Sequence, residues 1–130
     1  MTAAASTLEE RVAEVRGRIA RAASRSGRLP ESVTLIAVTK THPAETVLEA
    51  FTAGLTDFGE NRVQEATAKA EEVSRSLGTQ ALVAGGPRWH LIGHLQTNKV
   101  RAAIGTFAIL HSVDSERLLR AVSGAATSPI

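Results

Sequence analysis

The run Val33-Thr34-Leu35-Ile36-Ala37-Val38-Thr39 constrains this chain more than any other stretch. Successive β-prone residues with almost no polar alternation describe a strand buried on both faces, and such strands belong to parallel sheets covered by helices. A parallel neighbour is reached only through a long crossover, usually a helix, so the remaining sequence has to alternate strands with helices. It does so from end to end.

Ahead of the run, residues 7–27 carry Leu8, Val12, Val15, Ile19 and Ala22 at alternating spacings of four and three, the period of an amphipathic helix. Thr7 and Glu10 form a capping-box start, and Gly27 with Pro30 beyond it forms a stop. After the run, Pro43 suits the first turn of a helix that carries Val47, Leu48 and Phe51 and ends at Gly54. Thr56-Asp57-Phe58 is a short second strand, followed by Gly59-Glu60-Asn61. Asn61 and Gln64 make another capping-box start, and Val63, Ala66, Ala70, Val73 and Leu77 mark the buried stripe of a helix closed by Gly78. Residues 79–87 read as a flexible connection; the Gly-Lys-Ser/Thr ending of a phosphate loop does not follow. Arg88–Ile92 is a third strand, with a helix from about Asn98 to Ile104. Phe107–His111 is a fourth, with a helix carrying Leu118, Leu119 and Val122, and residues 123–130 form a frayed tail. The class is α/β: a leading helix plus four βα units. Both an open doubly wound sheet and part of a (β/α)₈ barrel satisfy that order, and in either one the chemistry gathers at the carboxyl ends of the strands.

Composition narrows the possible functions. The 130 residues are 43% hydrophobic and 22% charged, as in globular domains, and contain no cysteine, which excludes disulfides, thiol nucleophiles and thiolate metal sites. Aromatic residues make up only 3%, which argues against stacking on single-stranded nucleic acid. The 15 basic residues nearly balance the 13 acidic ones, so Arg11, Arg16, Arg18, Arg21 and Arg25, interleaved with Glu9, Glu10 and Glu14, read as a solvated helix face and no nucleic-acid partner is expected. No apolar run reaches the roughly 18 residues of a membrane span and no signal peptide is present, so a cytoplasmic location is expected.

The strand ends hold the polar residues. Lys40 directly follows the first strand, where partial desolvation would favour the free amine that attacks a carbonyl, although a lysine reaching to solvent from a strand end fits the same position. Gly59-Glu60-Asn61 ends the second strand; His90 lies in the third, ahead of Gly93-His94-Leu95-Gln96-Thr97-Asn98-Lys99; His111-Ser112-Val113-Asp114 ends the fourth. Four such loops on one face make a pocket pattern. His90 and His94 are separated by Gly93 at a strand end and no HExxH pattern occurs, so no metal is expected. No Gly-x-Ser-x-Gly elbow occurs either, and Ser112 reads as an N-cap or a ligand contact.

Four ordered motifs carry a family likeness: Leu35-Ile36-Ala37-Val38-Thr39-Lys40-Thr41-His42-Pro43, Phe58-Gly59-Glu60-Asn61-Arg62-Val63-Gln64-Glu65, Trp89-His90-Leu91-Ile92-Gly93-His94-Leu95-Gln96-Thr97-Asn98-Lys99, and His111-Ser112-Val113-Asp114. Together they resemble the pyridoxal phosphate homeostasis protein family, single-domain relatives of the alanine racemase N-terminal barrel. The resemblance implies the N-terminal half of a TIM-type barrel, with pyridoxal 5′-phosphate as cofactor held as a Schiff base on Lys40. It implies Asn61, His90 and Ser112 as further cofactor-binding residues, and a role in vitamin B6 and amino-acid homeostasis without turnover. Racemases add a second domain that supplies an acid–base group, for which this chain has no room.

The chain departs from the family in its length. Such barrels typically take about 250 residues, and the phosphate-binding loops near the last strands have no counterpart among four strands. On this reading residues 1–130 are a partial barrel domain, with residues 7–27 the leading helix, 33–122 the four βα units and 123–130 the tail. Weak affinity for the intact cofactor and self-association through exposed half-barrel edges are expected. Two other functions fit less of the sequence: a pyridoxal phosphate enzyme of racemase or decarboxylase type, and an interaction or nucleic-acid module built on the arginine-rich first helix.

Overall fold

A computed structural model describes residues 7–79, 85–127 and 130. The first helix, α1 (Leu8–Arg25), starts where the Thr7 hydroxyl accepts the Glu10 N–H at 3.1 Å, with Glu9 and Glu10 in its first turn and Arg25 in its last, each of the sign that complements the helix dipole. It ends in a left-handed Gly27 at φ +75°, and the Arg28 N–H reaches back to the Ala23 carbonyl at 2.8 Å. Val12 and Ala23 are its buried residues; Val15 and Ala22, expected on the same stripe, are exposed, because a strict four-three repeat drifts around a straight helix.

The strands are β1 (Ile36–Val38), β2 (Asp57–Glu60), β3 (Arg88–Leu91) and β4 (Ile109–Leu110), all parallel and in sheet order β1-β2-β3-β4. Sequence neighbours are sheet neighbours throughout. A doubly wound sheet reverses its order at a switch point, and this one advances in a single direction as barrel strands do. The crossovers are α2 (Ala44–Thr52), α3 (Val63–Leu77) and α4 (Val100–Thr106), and α5 (Glu116–Ala125) follows β4. Consecutive helices pack side by side, α1 on α2, α2 on α3, α3 on α4 and α4 on α5.

Strand alternation divides the sheet into two unlike faces. Leu35 and Ala37, Phe58, Trp89 and Leu91, and Leu110 join the helices in the core, with the Phe58 and Trp89 rings 5.7 Å apart. Register places Ile36, Val38, Asp57, Gly59, Arg88, His90 and Ile109 on the opposite, inner face. Here the structure corrects the reading of the first strand. Only three of the seven residues form β1, Ile36 and Ala37 are half-buried, and Val38 is 51% exposed. An unbroken apolar run signals two covered faces, and the described helices cover one.

Other boundaries shift for local reasons. The N-cap of α3 is Arg62, with extended backbone and no side-chain cap, so Asn61 is not the cap its spacing suggested. Ser115 caps α5 by accepting the Leu118 N–H at 3.1 Å, which removes that role from Ser112. Helix α5 runs to Ala125, into the stretch expected as tail, and α4 is preceded by a 3₁₀ turn at Thr97–Lys99. Of the 79–87 connection, residues 80–84 lie outside the described residues; Gly85 and Gly86 both take positive φ.

Candidate functional site

Lys40 lies in the turn that closes β1. The Thr39 N–H extends the ladder to the Gly59 carbonyl at 3.1 Å, and the His42 N–H returns to the Thr39 carbonyl at 3.0 Å, so Lys40 and Thr41 form the tip. Thr41 has φ +65°, a left-handed conformation unfavourable for a β-branched residue. The Lys40 side chain is exposed: of the two environments open to it at a strand end, it takes the one that reaches solvent and not the partly desolvated one, because β1 is an open edge of the sheet.

Beneath this turn, on the helix side of the sheet, is a fully paired ionic cluster. Glu60 is 0% and Lys69 6% exposed, and the Lys69 Nζ donates to Glu60 Oε1 at 2.6 Å and to the Thr39 carbonyl at 2.9 Å. The Thr39 hydroxyl donates to Glu60 Oε2 at 2.7 Å, and Glu65 Oε1 lies 3.5 Å from Nζ while accepting the Thr41 N–H at 3.0 Å. That backbone hydrogen bond is the main reason the Glu65 carboxyl is held below its ordinary value; burial opposes it, and the Lys69 and Arg62 charges assist.

A second cluster lies on the inner face. His90, 1% exposed, has Nε2 2.8 Å from Asp57 Oδ1 and Nδ1 3.0 Å from His111 Nε2, with the two imidazoles stacked at 5.2 Å between centroids. Burial works to raise the Asp57 carboxyl, but hydrogen bonds to His90 and Thr56, with the Arg88 and His90 charges, outweigh it and hold it below its ordinary value. Asp57 holds the His90 ring from the Nε2 side and His111 from the Nδ1 side. Both ring nitrogens of His90 are therefore engaged.

Asn61, half-buried, lines a cleft of about 540 Å³ between the loops after β2 and β3, together with Arg62, Gln64, His94, Gln96 and Lys99. Gly93 explains how closely these loops meet: a Cβ there would lie 2.8 Å from the Asn61 Cα and nearer still to its carbonyl oxygen. Ser112 Oγ donates to the Gly93 carbonyl, tying the loop after β4 to the same point. Asn61, Gly93 and Ser112 thus connect three strand-end loops, His90 lies in the strand leading to Gly93, and no hydrogen bond or ion pair among the described residues joins Lys40 to this group. The described residues hold no cluster of three metal-ligating side chains and no helix long and apolar enough to cross a membrane.

No protein-family model matches the chain. It is 45% identical over 119 residues to the pyridoxal phosphate homeostasis protein of Pseudomonas aeruginosa, covering 91% of this chain and 47% of that protein. The protein of the same name from Mycobacterium tuberculosis is 37% identical over 126 residues, 96% of this chain and 49% of that one. Among solved structures, PipY of Synechococcus elongatus with PLP bound is 46% identical at a TM-score of 0.65, covering 82% of this chain and 47% of PipY. The chain is a homologue of part of the pyridoxal phosphate homeostasis proteins. It spans about half the length of the curated relatives it matches. A protein of unknown function from Bifidobacterium adolescentis superimposes at a TM-score of 0.76 with 35% identity, over 95% of this chain and 53% of its own, in keeping with half a barrel.

Within this pyridoxal phosphate homeostasis homologue, two clusters escaped the sequence reading. Lys69 falls between Ala66 and Val73 on the apolar stripe of α3, and a lysine on such a stripe opposite a strand-end glutamate was the available signal for the Glu60–Lys69 pair. Asp57 stands in a short strand with no motif to mark it; its two-residue offset from Gly59, the register partner of His90, puts it on the inner face within reach of the imidazole.

Proposed function

We propose that this chain binds pyridoxal 5′-phosphate through Lys40, as a non-catalytic participant in vitamin B6 and amino-acid homeostasis. The observation that carries the reading is the placement of an exposed lysine at the carboxyl end of the first strand of a parallel, barrel-type sheet, in a homologue of pyridoxal phosphate homeostasis proteins. The residues fit the aldehyde end of the cofactor. Of the three lysines in the chain, Lys69 is buried and paired, Lys99 belongs to the neighbouring cleft, and Lys40 is open to a small carbonyl compound. When bound, the cofactor supplies an aldehyde that a lysine amine captures with loss of water, giving a Schiff base.

Asn61, after the neighbouring strand β2, and Ser112, after β4, offer hydrogen-bonding groups at the same end of the sheet as Lys40, and His90 supplies a polar group on the inner face. An acid–base catalyst needs a free protonatable atom directed at its substrate, and both His90 nitrogens are already bonded to protein groups. These contacts favour a structural part for His90 over the acid–base part that a racemase or decarboxylase would need it to play. The reading treats residues 1–130 as a partial barrel domain in the cytoplasm, which cell fractionation would check. It also includes self-association through the open edges of β1 and β4 and the exposed Val38.

Incubation of the chain with pyridoxal phosphate, borohydride reduction and peptide mapping tests the assignment. A stable adduct at Lys40 is expected. Absence of that adduct in a sample with native circular dichroism refutes it.

A further inference from the structure

We propose that Glu60, Glu65 and Lys69 are positioning residues whose cluster clamps the Thr39–Thr41 turn and so orients Lys40; the inference rests on Lys40 being the cofactor lysine. Three facts support a clamp rather than a general stabilising pair.

The contacts fall on both sides of Lys40 and leave its side chain untouched. Before it, every polar group of Thr39 is engaged: the N–H by Gly59, the hydroxyl by Glu60, and the carbonyl by both Lys69 and the His42 N–H. After it, the Thr41 N–H is held by Glu65. Secondly, the turn takes an unfavourable conformation. Thr41 at φ +65° persists only where its surroundings over-determine it, and the Glu65 hydrogen bond is the restraint applied at that residue. Thirdly, the donors and acceptors of the cluster match. The three Lys69 ammonium hydrogens face three oxygens, those of Glu60, Glu65 and the Thr39 carbonyl, and no buried side-chain polar atom among the described residues lacks a partner. The buried lysine is fully occupied within the fold, while the exposed lysine above it is presented for chemistry.

Glu65 is the place to test this, because it sits at the solvent edge of the cluster and its removal leaves the buried Glu60–Lys69 pair intact. Glu65→Ala deletes the acceptor for the Thr41 N–H; Glu65→Gln retains an oxygen there without the charge. With Lys99 as internal reference, the Lys40:Lys99 ratio of borohydride-trapped pyridoxal phosphate adduct is expected to fall about fivefold in Glu65→Ala, the worth of one hydrogen bond net of solvent, and to recover in Glu65→Gln. Circular dichroism should be unchanged in both. An unaltered ratio in Glu65→Ala overturns the inference. If the wild-type chain gives no Lys40 adduct, the cofactor reading fails, and hydrogen exchange of the Thr41 amide judges the clamp alone. Protection in the wild type and in Glu65→Gln that disappears in Glu65→Ala supports it; an unprotected Thr41 amide in the wild type overturns it.

Discussion

The two faces of the four-stranded sheet are built to opposite specifications. The outer face, from Ala37 through Phe58 and Trp89 to Leu110, is packed against helices, and even its charged residue, Glu60, is completely enclosed and paired. The inner face carries an exposed Val38, a Gly59 without a side chain, and the Asp57–His90–His111 chain, whose outer member reaches the surface. Apolar packing therefore lies mostly on one face, and the exposed or hydrogen-bonded polar groups mostly on the other. The turn that carries Lys40 joins them, anchored from the packed side and presented at the open one.

The sharpest way to break this contrast is a pair of truncations. Phe58→Ala on the packed face should cost about 3 to 5 kcal/mol in denaturant unfolding, while Val38→Ala on the open face should stay within about 0.5 kcal/mol. Equal costs would mean that the inner face is packed in solution, as self-association would also produce, and sedimentation would separate those cases. Lys69→Met should cost about 3 kcal/mol or more, since it leaves Glu60 buried without its cation, and a further Glu60→Leu change should restore much of the loss. Gly93→Ala should cost about 1 to 3 kcal/mol, because the added carbon meets backbone of Asn61 that cannot move aside.

The smallest effect concerns pH. The Asp57 carboxyl is held below its ordinary value of 3.8, so its ionised form stabilises the fold; that contribution is present above about pH 4 and is lost as the pH falls through the lowered folded-state value. Asp57→Asn should therefore flatten the acid limb of the stability profile below pH 4, measured by urea midpoints. An unchanged acid limb would remove Asp57 from the inner-face cluster.

How far the sequence could be read follows the same division. The packed face was legible because helix and strand periods record which residues are buried against which: Val63, Ala66 and Val73 marked α3, and Phe58 and Trp89 fell on strands. The length of β1 was not, because Val33-Thr34-Leu35-Ile36 has the composition of a central strand, whereas the pairing available at an open edge supports only Ile36–Val38. The Asn61 cap failed for a local reason: the backbone stays extended through Arg62 and packs against Gly93 before α3 begins. Lys40, Asn61, His90 and Ser112 all lie in or beside the strand-end loops that the order of elements indicated. Asp57, the partner of His90, and Lys69 and Glu65, which bond Thr39 and Thr41 on either side of Lys40, depended on register and helix rotation, which single-residue spacing does not specify.

The most direct test of the central claim is borohydride trapping of pyridoxal phosphate on the whole chain, with all three lysine-containing peptides quantified in one sample. A majority of the adduct on Lys40, with Lys69 unlabelled until the fold is disrupted, is the expected result. Equal labelling of Lys40 and Lys99, or none at Lys40 in folded protein, would contradict it.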